Sequence, residues 1–504
     1  MGQEDAQFTA LLKEAVALHQ AGKLDAAASS YRQVLARAPR QFDALHLLGV
    51  VMRQQGDAQE AVTLIARALA IDPAQATAHC NLGAALQDLG RSEEALASYD
   101  TAIKLNPGYA LAWSNRGNAL RKLDRPVDAL DSYERALALR PHYPEAWCHR
   151  AMALLDLGDA QAALASCARA LADRGSYPEA VCVRANALFQ LREFEAALRA
   201  YDEAIRLDAN APEAQAGRGL TLQKLGRPQE ALACFDRALA LRPAHLQSHQ
   251  QRGDALLALH RRDEAVGAYE RAGALTREAG LDTSQIDFAL AALGVGAPPE
   301  RAPSAYVKAL FDQYAGHFDR HLTGVLGYRT PELMAQAIAR HVTGTRLASV
   351  DLGCGTGLCA PHLRPLSQRL AGVDLSEKML AQARATGLYD ELACADIGAF
   401  LDGRTADFDL VVAADVLVYF GALDSLFAQV RAALRPGGWF CFSTEAGGGP
   451  DYTLLPSNRY AHSLAYLQRL ARERGFALAE AAPAVVRSEN GADVKGYLLV
   501  LRAA

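Results

Sequence analysis

The sequence predicts a multidomain protein in which an all-α repeat array precedes an α/β domain with a largely parallel sheet. Two observations predict this fold class. The first half of the chain matches itself at a shift of 34 residues, and from about residue 346 short apolar strands alternate with amphipathic helices. The chain has 504 residues, which is long enough for each part to bury a core of its own.

The composition argues against several classes of function. The net charge is −5, and neither half of the chain has the excess of Lys and Arg that a nucleic-acid partner requires. The nine cysteines form no C-x-x-C pair and no Cys/His cluster at metal spacing, so we predict no metal site and expect a reduced, cytoplasmic setting. We expect neither a signal peptide nor a membrane span, because no apolar run is long enough.

Eight repeats of 34 residues follow one another without an insertion, starting at residues 8, 42, 76, 110, 144, 178, 212 and 246. Position 8 of each repeat is Gly or Ala, position 20 is Ala, and position 24 is mostly aromatic. The small residues allow two helices to approach closely, and the larger ones fill the remaining space. The residues at position 24 are Tyr31, Ile65, Tyr99, Tyr133, Cys167, Tyr201, Phe235 and Tyr269.

Proline ends most repeats, at Pro39, Pro73, Pro107, Pro141 and Pro243, where it stops the second helix of a helical hairpin. This pattern resembles the tetratricopeptide repeat (TPR), over residues 8–279. The resemblance implies a superhelix whose concave groove is built from the first helix of each hairpin and holds a peptide or a partner protein.

Asparagines occur at positions 6 and 9 of several repeats, and the run AWSNRGNAL resembles arrays of the O-GlcNAc transferase type. In such arrays asparagines grip an extended peptide backbone, because an amide both donates and accepts a hydrogen bond. Other repeats carry Leu47, His149 or Val183 at these positions. A solvated groove with incidental asparagines is therefore the alternative. The candidate groove residues are Asn81, Asn115, Asn118 and Asn186.

The join between the two halves is predicted to lie in residues 280–304. The segment GLDTSQIDFALAALGVG is typical of one more helix that caps the array. The following GAPPERAPS concentrates proline and polar residues, as a semi-rigid linker does. We place the second domain at residues 305–504.

The second half predicts a doubly wound sheet. Continuous apolar strands separated by helices indicate a parallel sheet covered on both faces. Two later strands, FALAEAAPAVV and GYLLVLRA, would add an antiparallel edge. The five preceding strands are RLASVDLG, LAGVDLS, ELACAD, FDLVVAADV and GGWFCFSTE, with helices between them from APHLRPLSQRL, EKMLAQARATG and DSLFAQVRAAL.

The stretch VDLGCGTG, residues 350–357, places a glycine-rich turn directly after the first strand. A dinucleotide fingerprint would read G-x-G-x-x-G, whereas these glycines stand in the order G-x-G-x-G. The carboxylate of Asp351 in this turn would repel a pyrophosphate, but it suits an ammonium group. This favours the amino-acid end of S-adenosylmethionine over a nicotinamide dinucleotide.

Two further acidic residues end the next two strands. Asp374, in GVDLS, is placed to accept hydrogen bonds from both ribose hydroxyls. Asp396, in CADIG, is placed to accept from an adenine amino group. Three carboxylates at the ends of three successive strands are far more specific than any one of them.

These motifs, with FDLVVAADVLVYF and LRPGGWFCFS, resemble the class I S-adenosylmethionine-dependent methyltransferases, which have a seven-stranded Rossmann-like fold. Carried over by motif, the resemblance implies a turn supported by Asp351, a ribose site at Asp374 with Leu375 beside it, and an adenine site at Asp396 and Ile397. It also implies a methionine site at Gly353, Cys354, Gly355 and Gly357, and a methyl-transfer site bordered by Ala414, Asp415 and Val416.

The segment YVKALFDQYAGHFDRHL, residues 306–322, resembles the N-terminal helix that some methyltransferases fold over the cofactor. By that resemblance Tyr314 contacts the cofactor and Phe318 shields it from water. Simple amphipathic packing of this helix is the alternative.

Methyl transfer has no universal catalytic residue, and the catalytic group stays open in the sequence. The chain has ADVLVYF where enzymes that methylate amides or adenine amino groups carry an N-P-P-Y-like motif, so an oxygen or carboxylate acceptor is predicted. Asp415 borders the transfer site, and a base could come from His317, His321 or His462. Arg459 and Tyr460 are candidate substrate residues, with Arg459 neutralising an anionic substrate.

Three functions follow from this reading. The array recruits a protein or peptide to a methyltransferase; or the enzyme methylates a small molecule and the array docks it to a larger assembly; or the second domain is a non-catalytic scaffold that senses the cofactor.

Overall fold

The computed structural model describes residues 2–315, 328–489 and 492–504. It forms two compact units, Met1–Ala255 and Leu256–Ala504. None of the helices within the described ranges is both long and apolar enough to cross a membrane.

The repeat array is all-helical, as predicted, and its helices follow the 34-residue period. From the second repeat onward, the first helix of each hairpin begins at the predicted first residue of the repeat. The helices are α1 (Gly2–Gln20), α2 (Leu24–Arg37), α3 (Phe42–Gln54), α4 (Ala58–Leu69), α5 (Ala76–Asp88), α6 (Ser92–Leu105), α7 (Ala110–Lys122), α8 (Pro126–Leu139), α9 (Pro144–Asp156), α10 (Ala160–Asp173), α11 (Pro178–Gln190), α12 (Phe194–Leu207), α13 (Pro212–Lys224), α14 (Pro228–Leu241), α15 (Leu246–Ala258) and α16 (Arg262–Glu278).

The glycines at position 8 make room for the large residue at position 24 of the same hairpin. A Cβ atom added at Gly83 would lie 2.6 Å from Cε1 of Tyr99, and one at Gly117 would lie 2.5 Å from the ring of Tyr133. Both tyrosines are fully buried. The small residues at position 8 and the large residues at position 24 therefore pack against each other. This contact holds the two helices of a hairpin together.

Arginines at position 7 connect successive repeats within the first unit. Arg116 contacts Asp100 of the preceding hairpin at 2.7 Å and donates to Ser132 of its own hairpin at 2.7 Å. Arg150 repeats both contacts, with Glu134 and Ser166. These pairs are partly exposed, so each adds little stability and they mainly fix the register of neighbouring hairpins.

The second unit contains the remaining elements. Its helices after α16 are α17 (Ser284–Ala292), α18 (Ser304–Tyr314), α19 (Thr330–His341), α20 (Ala360–Leu363), α21 (Glu377–Ala385), α22 (Ile397–Leu401), α23 (Asp424–Ala433) and α24 (Leu464–Glu473). Its strands are β1 (Leu347–Leu352), β2 (Ser367–Asp374), β3 (Glu391–Cys394), β4 (Phe408–Ala413), β5 (Leu434–Ala446), β6 (Tyr452–Leu454), β7 (Tyr460–His462), β8 (Phe476–Glu489) and β9 (Ala492–Ala503).

The sheet confirms the predicted α/β class. Strands β1 to β5 are parallel, in the order β3-β2-β1-β4-β5. Strand β9 runs antiparallel beside β5 and pairs with β8, which gives the expected antiparallel edge. The short strands β6 and β7 were not predicted. They extend the sheet where β7 pairs with Glu445 and Ala446, the last two residues of β5.

The predicted helix APHLRPLSQRL is wrong in its second half. The helix α20 is short, a 3₁₀ turn follows over Arg364–Leu366, and Ser367 already begins β2. The hydroxyl of Ser367 donates to the carbonyl of Leu363 at 2.8 Å and so ends the helical turn. Pairing with β1 then decides the conformation of the apolar residues that follow.

Helices cover both faces of the sheet. On one face, β1, β4 and β5 contribute Val350, Val411 and Phe440 to a core with α22, α23 and α24. On the other face, Leu410 and Val412 pack with α19 and α20. Alternate residues of β4 thus enter opposite cores, which explains why its sequence is apolar throughout.

We predict opposite effects for two Gly→Ala substitutions in helices of the array. Gly83→Ala brings a methyl group against the buried ring of Tyr99 and should lower the free energy of unfolding by about 1–3 kcal/mol. A Cβ atom added at Gly267, in α16, would have nothing within 4 Å. Gly267→Ala should therefore raise the free energy of unfolding by about 0.5–1 kcal/mol. Urea unfolding followed by circular dichroism measures both, and equal midpoints for the two variants would contradict the packing argument.

Candidate functional site

A cavity opens at the carboxyl ends of the parallel strands of the second unit. This is where open parallel sheets bind ligands, because the loops after neighbouring strands meet there. Ten of the predicted cofactor residues line it: Asp351, Gly353, Cys354, Gly355, Asp374, Leu375, Asp396, Ile397, Ala414 and Asp415.

The glycine turn requires glycine at its first position. Gly353 has φ +69°, and a Cβ atom there would lie 2.5 Å from Cγ2 of Val416. The amides of Gly353 and Cys354 both donate to the carbonyl of Val373, at 2.8 and 3.0 Å. Gly357 lies outside the cavity lining and closes the turn by donating to the carbonyl of Cys354 at 2.9 Å.

Asp351 is a buried carboxylate in the cavity wall. It is 1% exposed, and its Oδ2 accepts from the hydroxyl of Tyr389 at 2.7 Å. Burial, only partly offset by this hydrogen bond, raises the pKa of Asp351 to about 7. Within the described part of the chain, no Lys, Arg or His forms an ion pair with it.

Asp374 connects the end of β2 to the glycine turn. Its Oδ2 accepts from the amide of Gly355 at 3.0 Å, and its Oδ1 accepts from the amide of Ser376 at 2.8 Å. Burial raises the pKa of Asp374, although these amides stabilise the charged form. The side chain of Ser376 donates to Asp312 of α18 at 2.5 Å, so this helix is attached beside the same strand end.

Asp396 caps the amino terminus of α22 and also faces the cavity. Its Oδ1 accepts from the amide of Gly398 at 2.9 Å. The guanidinium of Arg301, which lies in the predicted linker, contacts both carboxylate oxygens, at 3.0 and 3.2 Å. The adenine-site candidate thus has a charged partner that the sequence did not indicate.

A buried charged cluster supports the opposite end of the cavity. Asp415 has φ +58°, its amide donates to the hydroxyl of Ser443 at 2.8 Å, and its carboxylate contacts Arg487 at 3.2 Å. Arg487 comes from β8, is 2% exposed, and also pairs with the buried Glu445. These contacts hold Asp415 in a strained backbone conformation at the cavity wall.

Arg459 lines this same end of the cavity together with Tyr328 and Tyr419. It lies 3.8 Å from Glu445. Burial raises the pKa of Tyr419 to about 12, so its phenol stays neutral at physiological pH. The cavity therefore offers one cation and two phenols beside Asp415.

Tyr460 and His462, predicted near the acceptor, also lie outside the cavity lining. Tyr460 is fully buried and donates its hydroxyl to the carbonyl of Pro299 at 2.6 Å. His462 is also fully buried, between Thr444 Oγ1 at 2.7 Å and the carbonyl of Gly421 at 3.1 Å. Since that carbonyl only accepts, Nε2 carries the proton and Nδ1 accepts from Thr444. Burial lowers the pKa of His462 to about 4, and both ring nitrogens are engaged away from the cavity.

The predicted lid helix is described as far as Ala315. Its residues Val307 and Phe311 line the cavity, whereas Tyr314 is 39% exposed and does not. His317, Phe318 and His321 lie outside the described residues. No group of three or more His, Cys, Asp or Glu side chains in the described ranges is arranged to hold a metal ion.

The predicted groove asparagines fall into two kinds within the first unit. Asn118 and Asn186 accept from the position-24 tyrosines of their own hairpins, Tyr133 and Tyr201, at 2.7 and 2.5 Å. Asn81 contacts the imidazole of His46 in the preceding repeat at 2.9 Å, and Asn115 contacts the thiol of Cys80 in the preceding repeat at 3.8 Å.

Sequence reasoning missed several residues of the cavity and its supports. Arg487 could have been noticed as a charge within an apolar strand, and Tyr419 as an aromatic residue in the loop after β4. Tyr389 and Arg301 gave no such signal, because their partners are more than 35 residues away.

Comparison with known families places two kinds of domain in this chain. A family described as "Methyltransferase domain" matches residues 350–442, which include the glycine turn and strands β2 to β4. Families described as "Tetratricopeptide repeat" match residues 12–76, 80–144, 117–181 and 212–245, and one described as "TPR repeat" matches residues 185–226. The chain is thus a fusion of a TPR array with a methyltransferase domain.

Individual relatives match the methyltransferase half. The chain is 34% identical over 142 residues to a malonyl-[acyl-carrier protein] O-methyltransferase of Enterobacter lignolyticus, covering 28% of this chain and 53% of that protein. It is 30% identical over 166 residues to a ubiquinone biosynthesis O-methyltransferase of Methylococcus capsulatus, covering 29% of this chain and 70% of that protein. It thus spans about half of the first relative's length and 70% of the second's.

Among solved structures, a TPR protein from Parabacteroides merdae is 18% identical, with a TM-score of 0.44, over 49% of this chain and 98% of that one. For the second unit, the family match at the glycine turn and the relative from Methylococcus capsulatus agree with the geometry of the cavity. This chain belongs to the methyltransferase family.

Proposed function

We propose that the protein transfers a methyl group from S-adenosylmethionine to an acceptor that its TPR array recruits. The observation that carries the cofactor assignment is the meeting of Asp351, Asp374 and Asp396 around one cavity, at the ends of β1, β2 and β3. Each carboxylate suits a different part of this cofactor.

The chemistry of these residues fits S-adenosylmethionine better than a dinucleotide. Asp351 is buried with a raised pKa and has no cationic partner among the described residues, so an ammonium group beside it would supply the missing positive charge. Asp374 would hold the ribose hydroxyls with Leu375 beside it, and Asp396 with Ile397 would hold adenine. Gly353, Cys354, Gly355 and Gly357 would form the turn around the methionine part.

S-adenosylmethionine, when bound, supplies a methyl group on a sulfonium centre, which is an excellent leaving group. The protein then has to orient an acceptor atom within about 3–3.5 Å and exclude water. Asp415, Ala414 and Tyr419 form the wall where that acceptor would lie. Val307 and Phe311 of α18 shield the site with apolar surface.

The acceptor end of the cavity supports an oxygen acceptor, and a carboxylate in particular. A carboxylate needs no general base, and among the described lining residues there is no imidazole. Arg459 would pair with such an anion through its guanidinium. Asp415 is the remaining candidate for proton transfer if the acceptor is a hydroxyl.

We propose that the concave face of the array binds a protein or peptide. The support is the recurrence of amides along the first helices of the hairpins, at Asn81, Asn115, Asn118 and Asn186. In Asn118 and Asn186 the hydrogen bond from tyrosine uses the side-chain oxygen, so their amide NH₂ groups stay available as donors to a peptide carbonyl. Binding at a remote surface raises the local concentration of the acceptor.

A small-molecule acceptor is the second candidate function, with the array as a docking device. The presence of Arg459 in the cavity lining favours it, and so do relatives whose names specify a malonyl-[acyl-carrier protein] and ubiquinone biosynthesis. A scaffold without catalysis would share the cofactor site but form no product.

The experiment that tests the function is incubation of the full-length protein with S-adenosylmethionine labelled in its methyl group, together with cell extract. We expect label in the macromolecular fraction, and less of it with the double variant Asn81→Ala/Asn115→Ala. Label confined to small molecules would support the second candidate, and no enzyme-dependent label at all would contradict both.

We expect Asp374→Ala to weaken binding of S-adenosylhomocysteine by about 1–3 kcal/mol, because a hydrogen-bonding carboxylate is lost. Isothermal titration calorimetry measures the dissociation constant. Asp409→Ala is a matched control, since Asp409 accepts from the amide of Ala348 at 2.8 Å at the opposite ends of β1 and β4. An unchanged dissociation constant for Asp374→Ala, or equal losses in both variants, would show that the ribose site lies elsewhere.

We expect binding of S-adenosylhomocysteine, which keeps the ammonium group, to weaken as the pH falls through 7. With a pKa of about 7 in the unliganded protein, Asp351 is mostly protonated at pH 6 and mostly charged at pH 7.5, and only the charged form attracts an ammonium group. The dissociation constant should be about eightfold larger at pH 6 than at pH 7.5. Asp351→Asn should remove this dependence, and a pH-dependence that survives in the variant would assign it to another group.

A further inference from the structure

The segment directly ahead of α18 is bound across the mouth of the cavity. We call residues 299–302 the strap. The carbonyl of Glu300 accepts from the amides of Gly421 and Ala422, at 2.7 and 3.0 Å, and the amide of Ala302 donates to the carbonyl of Tyr419 at 2.8 Å. Tyr460 donates to the carbonyl of Pro299 at 2.6 Å. The strap has the composition of a linker, yet the backbone groups of three of its four residues are held by hydrogen bonds.

The strap joins the two ends of the cavity. Its backbone pairs with the turn after β4, where Arg301 forms an antiparallel bridge with Phe420 beside Tyr419. Its side chain reaches the opposite end, where the guanidinium of Arg301 meets the Asp396 carboxylate. Arg301, Ala302 and Asp396 all line the cavity.

The helix before the strap is packed on the same domain. Phe288 of α17 is buried, with its ring centroid 5.4 Å from that of Tyr306 and 6.2 Å from that of Tyr460. Ala291 and Ala292 join the same cluster with Val418 and Tyr419. The backbone that carries Arg301 is thus anchored on both sides, by α17 before it and by α18 after it.

The two oxygens of Asp396 have different surroundings. Oδ1 is committed to the amide of Gly398 at 2.9 Å, as an amino-terminal cap of α22. Arg301 Nη1 donates to Oδ2 at 3.0 Å and also approaches Oδ1 at 3.2 Å, so Oδ2 is the oxygen without a backbone donor. A carboxylate oxygen accepts more than one hydrogen bond, so Oδ2 can hold Arg301 and a further donor at once. Arg301 and the amide of Gly398 thus contact the carboxylate together.

We propose that Arg301 is a positioning residue of the cofactor site, acting through Asp396 so that this carboxylate receives the adenine amino group, and that the strap makes the segment ahead of the α/β domain part of that site. This inference rests on the proposed function, because it assumes an adenine-containing cofactor. Its consequence is that cofactor affinity depends on residues that precede position 305.

The test measures binding of S-adenosylhomocysteine to the full-length protein by calorimetry, in a double-mutant cycle of Arg301→Ala and Asp396→Asn. Asn is also a good helix cap, so the second variant keeps α22 and removes the charge. We expect Arg301→Ala to weaken binding three- to tenfold in the native background, Arg301→Lys to restore it to within about twofold, and Arg301→Ala to have less than a twofold effect when Asn stands at 396.

The matched control is Arg435→Ala. Arg435 is also half-exposed and pairs with an aspartate, Asp409, at 2.8 Å, but far from the cavity lining. Its dissociation constant should equal that of the native protein, and thermal melting should show that all variants fold. Equal affinity for Arg301→Ala and the native protein, or an equal loss in both backgrounds, overturns this inference alone. A native chain that binds no S-adenosylhomocysteine overturns the proposed function, and the inference with it.

Discussion

The methyltransferase unit depends on the parallel pairing of β1 with β2 and the hydrogen bonds that it allows between their ends. Because the two strands run in the same direction, the glycine turn after β1 lies beside Asp374 at the end of β2, and its Gly355 amide donates to that carboxylate. The turn amides also donate to the carbonyl of Val373, the preceding residue of β2. Two strands thus shape one turn, and their pairing places the carboxylates of Asp351 and Asp374 beside it.

The burial that forms this site also creates its chemistry. A carboxylate in water is stabilised by hydration. The Asp351 carboxylate is removed from water, and its hydrogen-bond partner is the hydroxyl of Tyr389. Burial without a cationic partner disfavours the charged form of Asp351 and so raises its pKa. At the other end, Asp415 has a guanidinium partner, Arg487, which is itself buried against Glu445. Within the described residues the buried Asp351 carboxylate therefore has no cationic partner, whereas the charge of Asp415 is balanced by Arg487.

The sequence predicted the fold class and about half of the cavity-lining residues because both follow from local patterns. A strict 34-residue period and a position-8 glycine facing a position-24 tyrosine can be read without coordinates, and so can three acidic residues that each end an apolar strand. What failed were features set by distant contacts. His462 and Tyr460 looked available in the sequence, but β7 pairs with β5 and buries both. Arg301 looked like part of a linker, yet its backbone pairs with Phe420, about 120 residues later.

The proposed site holds one S-adenosylmethionine-type cofactor across the ends of β1, β2 and β3. A crystal structure of the full-length protein with S-adenosylhomocysteine tests it most directly. We expect the ammonium group near Asp351, the ribose hydroxyls at Asp374 and the adenine amino group at Asp396. Density for the ligand in any other place, or with its adenine away from Asp396, would contradict it.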